Sequence, residues 1–177
     1  MKKIALVFCI AAITGCSGTS QPLPTASAPT TESPQLQAKL DGYVYLNSAS
    51  DVGSELIRGM SVFACPSNLF QQFKEIRDRN SSEISDVPGV NEMRHLSAVS
   101  EMEDFAKQSC GTPVQSSVNG YYSIEGISPG DYLLFGVNWA SGDDQLQRYW
   151  LTPVTVQQGQ TKSTDLNSNN FGIDGML

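Results

Sequence analysis

The chain has 177 residues, with 11 basic and 18 acidic side chains, one histidine and four cysteines, for a net charge of −7. Such a chain is poorly suited to hold nucleic acid or anionic lipid through bulk charge, and a single histidine leaves little material for a histidine-built catalytic or metal centre. Its length suits one folded domain around one apolar core.

Met1-Lys2-Lys3 is a basic start, and Ile4 to Ile13 is an apolar run too short to serve as a permanent membrane-spanning helix. Residues 1–15 therefore read as a signal peptide. The run closes on Ile13-Thr14-Gly15-Cys16, which resembles the lipobox of bacterial lipoproteins. That resemblance implies cleavage before Cys16, a diacylglyceryl thioether on its sulfur and an acylated amino group; an ordinary signal with a chance cysteine is the plainer alternative. Ser17 stands where an aspartate would resemble an inner-membrane retention signal, so the expected location is the outer membrane, on either face. Several acyl chains, at about 0.8 kcal/mol per buried methylene, anchor firmly without spanning. Loss of Lys2 and Lys3 leaves 9 basic against 18 acidic residues and moves the net charge from −7 to −9.

From Cys16 to Ala38 the chain is rich in Ser, Thr, Pro and Gln and nearly free of large apolar residues. It cannot bury enough surface to offset its ordering entropy, so it reads as a flexible tether. One domain is expected over 39–171, with a short tail at 172–177. Leu40 to Leu46 alternates as a first strand, with Leu40, Val44 and Leu46 inward and Tyr43 and Tyr45 on the other side. Asn47 to Glu55 is polar and turn-like. Met60 to Cys65 reads as a second strand with Met60, Val62 and Ala64 on one face.

Between Pro66 and Ser109 the apolar period changes from two to helical. Leu69, Phe70, Phe73 and Ile76 form one stripe; Met93, Leu96, Val99, Met102, Phe105 and Ala106 form another. This predicts a two-helix insertion at about 66–109, between the second and third strands. Asn119 to Val137 then reads as two strands joined at Ser128-Pro129-Gly130, with Tyr122, Ile124, Tyr132 and Leu134 able to share a face. Gln147 to Leu151, and a closing strand after Gly159-Gln160-Thr161 ending near Leu166, complete the count.

Cys9 leaves with the signal and Cys16 is the lipidation candidate, so Cys65 and Cys110 remain as a pair in a compartment where disulfides persist. Metal binding or redox chemistry would call for partners or closer spacing that the sequence lacks. A bridge would close a loop of about 45 residues, on the order of 3–4 kcal/mol of chain entropy, and cinch the helical insert at its root.

Five blocks in order, Gly42-Tyr43-Val44, Gly59-Met60-Ser61-Val62, Asn119-Gly120-Tyr121-Tyr122, Ile127-Ser128-Pro129-Gly130-Asp131-Tyr132 and Gly159-Gln160-Thr161, resemble the signature of carboxypeptidase regulatory-like domains. That family implies a mainly β fold, an antiparallel β-sandwich of transthyretin-like topology, and an accessory role in spacing or presenting surfaces; the helical insert is no part of its pattern.

No set of catalytic residues assembles from the sequence. His95 sits beside an apolar helical stripe, no G-x-S-x-G occurs, and Asp143-Asp144 and Glu101, Glu103 and Asp104 lack the spacing of a metal loop. No enzyme activity, cofactor, metal or nucleic acid is therefore expected. The sequence instead suggests an outer-membrane lipoprotein whose scaffold engages a protein partner in the envelope, with Phe70, Phe73, Met93, Leu96 and Met102 of the insert as the candidate partner surface. A second reading is a small-ligand or glycan module using Tyr43, Tyr45, Trp139 and Trp150.

Overall fold

A computed structural model describes residues 37–47, 53–81, 85–139, 148–170 and 172. The stretches expected to be a signal sequence (1–15) and, for the most part, a tether (16–38), with Cys16, lie outside the described residues, as do Asp143 and Asp144. The described residues belong to a unit spanning Pro34–Leu177, and none of their helices is long and apolar enough to cross a membrane.

Among the described residues, nine strands and two α-helices follow in chain order: β1 (Ala38–Tyr43), β2 (Tyr45–Asn47), β3 (Ser54–Leu56), β4 (Ser61–Pro66), α1 (Phe70–Ser81), α2 (Val90–Ser109), β5 (Val114–Gln115), β6 (Tyr121–Ile127), β7 (Gly130–Asn138), β8 (Arg148–Val156) and β9 (Thr161–Ser163). They form a three-stranded sheet in the order β6-β1-β9, a four-stranded sheet in the order β5-β4-β7-β8, and the small β2-β3 ribbon. The fold is mainly β and β-sandwich-like, with two helices.

The two larger sheets face each other across one apolar layer. Leu40, Val44 and Tyr122 meet Met60, Val62, Leu134, Trp150, Val154 and Val156 there, with Leu166 closing the layer. Each strand contributes alternate residues, as the pleat requires. The inward residues expected of the first strand, Leu40 and Val44, are fully buried, and Leu46 packs at the margin.

The four-stranded sheet is apolar on its other face too. Phe63 and Cys65 of β4, Leu133, Phe135 and Val137 of β7, and Tyr149 and Leu151 of β8 all point away from the partner sheet. This is why β7 reads Leu133-Leu134-Phe135-Gly136-Val137 without alternation: a strand covered on both sides has no polar face. The helix pair supplies the cover, so the domain has three layers instead of the two that the alternating strands predict. Phe73 and Ile76 of α1 and Ala98, Val99, Met102 and Ala106 of α2 are buried against the sheet. An aromatic chain ties the layers together: Phe63 to Phe135 at 5.8 Å, Phe135 to Phe73 at 5.0 Å, and Phe73 to Phe105 at 5.1 Å between ring centres.

Three expectations need correcting. The helices lie between the fourth and fifth strands, because Ser54–Leu56 pairs with Tyr45–Asn47 and Val114–Gln115 pairs with β4. Polar, very short strands of this kind carry almost no periodic signal. The sandwich is not wholly antiparallel, since β9 runs parallel to β1. Finally, β8 is one nine-residue strand that passes through Pro153. Its position at the sheet edge accommodates a residue with no N–H to donate, and Pro153 is exposed.

Candidate functional surface

Cys65 and Cys110 form a disulfide, with Cα atoms 4.7 Å apart and 45 positions of sequence between them. Cys65 is buried near the end of β4, and Cys110 caps α2, donating its N–H to the Ala106 carbonyl at 2.8 Å. The bridge therefore joins the last turn of the insert to the strand from which the insert departs.

The five side chains expected to meet a partner do not share one surface. Phe73 and Met102 have no solvent exposure, Phe70 and Leu96 are half-buried, and only Met93 projects, at 66% exposure. Phe73 and Met102 are therefore removed from the partner surface: the apolar stripes follow the helix face that covers the sheet. The outward helix faces are charged. Lys74 pairs with Asp78, Lys107 with Glu103 and Asp104, and Arg79 crosses from α1 to Glu101 on α2. The Asp78 carboxyl sits below the usual carboxylate range chiefly because Arg77 hydrogen-bonds it, with Lys74 assisting. The turn into α2 is organised by Asn91, whose amide oxygen accepts from the Ser85 N–H and whose nitrogen donates to the Ser85 carbonyl, both at 3.0 Å. Val87 and Met93 stand exposed around it.

The glycan set also divides. Trp150 is a core residue, its ring sealed between the sheets and its Nε1 donating to the Asn167 carbonyl at 2.9 Å, so it offers no face to a sugar. Tyr45 is half-buried and accepts from Asn167 Nδ2 at 3.2 Å. Tyr43 is 45% exposed and meets Tyr121 edge to face at 5.5 Å. Trp139, just after β7, is also exposed, and its Nε1 donates to Glu103 Oε2 at 2.6 Å. His95 on α2 is half-buried, its ring 6.3 Å from that of Tyr149. Among the described residues, no three of His, Cys, Asp and Glu gather as a metal site.

A cluster that sequence reasoning missed lies around the turn before β6. Ser117 accepts from the Gly120 N–H at 3.0 Å, and Gly120 takes φ of +72°, a conformation glycine adopts freely. A side chain there would also strike the Val44 carbonyl oxygen at 2.6 Å and lie 3.5 Å from Leu56. The turn thus sets Gly120 beside Leu56; Val118, two residues earlier, is 85% exposed, and Tyr121 follows against Tyr43. Leu56 hides in a segment of polar character, and its exposure depends on a pairing with β2 that no periodicity announces.

On the solvent face of the three-stranded sheet, Tyr121 donates to Asp41 Oδ2 at 3.1 Å, and Lys39 lies 3.7 Å from Asp41 and 3.5 Å from Glu125. Beneath it, the Tyr122 hydroxyl donates to the Thr164 carbonyl. Burial pushes this phenol well above its ordinary value, with the Asp165 and Asp41 charges adding to the shift.

No family model matches the chain, and no curated protein matches it. Among solved structures it is similar to the minor pilin GBS52 of Streptococcus agalactiae (12% identity, TM-score 0.41, covering 75% of this chain and 44% of that one). It is also similar to a candidate carbohydrate-binding protein of Pseudomonas aeruginosa (16% identity, TM-score 0.45, 75% and 89% covered) and to the major pilin subunit of Bacillus cereus (15% identity, TM-score 0.36, 74% and 29% covered). The chain spans under half the length of either pilin. With TM-scores below 0.5 these similarities describe outline only, and what this chain does has to follow from its own residues.

Proposed function

We propose that the chain is a non-enzymatic lipoprotein, acylated at Cys16, anchored in the outer membrane, and presenting a sandwich of transthyretin-like topology as a binding scaffold for an envelope protein. The observation that carries the reading is the apolar end of the sandwich where Tyr43 meets Tyr121, exposed Leu56 lies beside Gly120, and Val118 stands exposed in the same turn. The tether enters at Ala38, paired with Ile127, whereas Tyr43 and Tyr121 pair at the opposite end of β1. Exposed apolar side chains gathered at one place mark contact surfaces more often than scattered ones do.

The test is photocrosslinking in intact cells with a photoreactive residue at position 118 or, for comparison, at 93 on the helical hairpin. Capture of a discrete protein from 118 that is lost on Leu56→Glu supports the reading. Capture from 93 alone moves the surface to the insert, and capture from neither refutes the scaffold role. Mass spectrometry of the N-terminal peptide, with Cys16→Ser as control, tests the anchor separately.

A second reading has one specific observation behind it. The indole of Trp139 is fixed by its bond to Glu103, and its neighbour Lys107 neutralises that carboxylate. Its polar edge is used while part of the ring stays exposed, the arrangement that stacking on a sugar ring needs. Glycan-array binding abolished by Trp139→Ala, with the urea midpoint unchanged, would select this reading.

A further inference from the structure

The sequence places the tether immediately before β1, and the topology places β1 in the middle of its sheet. On one side it pairs with β6 along its whole length. On the other it runs parallel to β9 and the residues after it, through Lys39 N–H to the Gln160 carbonyl (2.9 Å), Thr164 N–H to Asp41 (2.8 Å), Leu166 N–H to Tyr43 (2.9 Å) and Tyr45 N–H to Leu166 (3.0 Å). Tension between the tether and the chain beyond Leu166, at the far end of β1, therefore runs along the axis of β1 and loads the bonds between the two together. Peeling the same strand sideways would load them one at a time.

The side chains of β1 make sliding harder still. Moving the strand by one residue toward the tether would turn Asp41 and Tyr43 into the core, because faces alternate. Moving it by two, about 7 Å, keeps the faces but brings Val44 into the place of Gly42. That place admits no side chain: a Cβ there would lie 2.1 Å from the Thr164 carbonyl oxygen and 2.7 Å from its carbon, both backbone atoms. The same step would pull Leu40 and Val44, neither of them exposed, out of their packing.

We propose that β1 is a mechanical clamp whose Gly42 notch blocks register slip, so that the domain holds tension on its N-terminal tether and yields in one step. The physiological use of the clamp rests on the anchored reading above, but the clamp itself does not. The full mature chain is pulled in a single-molecule force measurement from a thiol handle beside the acylated Cys16 (Ser17→Cys), against a second handle at exposed Asn169 (Asn169→Cys) for lengthwise loading. A second molecule carries its handle at exposed Gln158 (Gln158→Cys), beside the start of β1, for peeling. The expected result is one rupture in the lengthwise geometry, at several-fold higher force than in the peeling geometry. Equal forces in the two geometries, or stepwise lengthening before the lengthwise rupture, would overturn the proposal. Failure to find acyl chains on Cys16 would instead remove the anchor while leaving the force result standing.

Discussion

Replacing both bridge cysteines, Cys65→Ala with Cys110→Ala, tests how the helical layer is held. The bridge closes 45 positions of chain, for which the loop-entropy relation gives about 4 kcal/mol at 25 °C. A domain this size has roughly 5–15 kcal/mol in total, so the loss is a large part of the whole. It should not detach the layer within the folded state, because Phe73, Ile76, Val99 and Met102 remain packed on the sheet, each contributing roughly 1.5–3 kcal/mol on burial. The expected result is a lower urea midpoint with one shared transition. The two tryptophans make this readable: Trp139 contacts α2 through Glu103, and Trp150 sits between the sheets. Urea melts of Trp139→Phe and Trp150→Phe, each with and without the bridge, report the two layers separately. A loss below about 1 kcal/mol would refute the entropic account. A Trp139 transition well ahead of that of Trp150 would refute the claim that packing alone keeps the layer in place.

Further outcomes follow from other contacts. Gly42→Ala should cost about 3 kcal/mol or more, since the added carbon meets backbone, whereas Gly136→Ala should cost less because its nearest neighbour is the mobile end of Met60; paired thermal melts compare them. Ser116→Ala removes an acceptor for the Met60 N–H (2.9 Å) and a donor to the Ile57 carbonyl (2.8 Å), both buried, so a loss of about 2 kcal/mol in urea titration is expected. Tyr122 binds its proton more tightly folded than unfolded, so its contribution is complete below the unfolded value of 10.0 and is lost as pH rises beyond it. Stability measured from pH 8 to 11 should therefore decline, and Tyr122→Phe should start lower but decline less steeply. Met93→Glu should leave stability within about 0.5 kcal/mol, as the side chain is exposed.

Legibility followed local chemistry. Alternation marked Leu40 to Leu46 and Met60 to Cys65, and the change to helical period located α1 and α2, because both signals lie in neighbouring residues. β3 and β5 were invisible: three or two polar or mixed residues become strands only when a partner lies beside them. Phe73 and Met102, two of the five proposed contact residues, turned out to be core for a related reason. A helical stripe reports that a face is buried, and it does not say whether the cover is the protein's own sheet or another molecule. The non-alternating run Leu133 to Val137 held the answer, since a strand apolar on both sides needs cover on both.

By itself, the sequence determined the periods of the elements, the turns that glycine and proline impose, the inward faces of the first two strands and the availability of two cysteines for bridging. Tertiary structure alone decided that the insert is a third layer, that Trp150 is core while Trp139 is surface, and that Tyr43 meets Tyr121 while Leu56 lies beside the turn at Gly120. The physical reason is that periodicity records each segment's need for burial, whereas exposure depends on which distant segment meets that need.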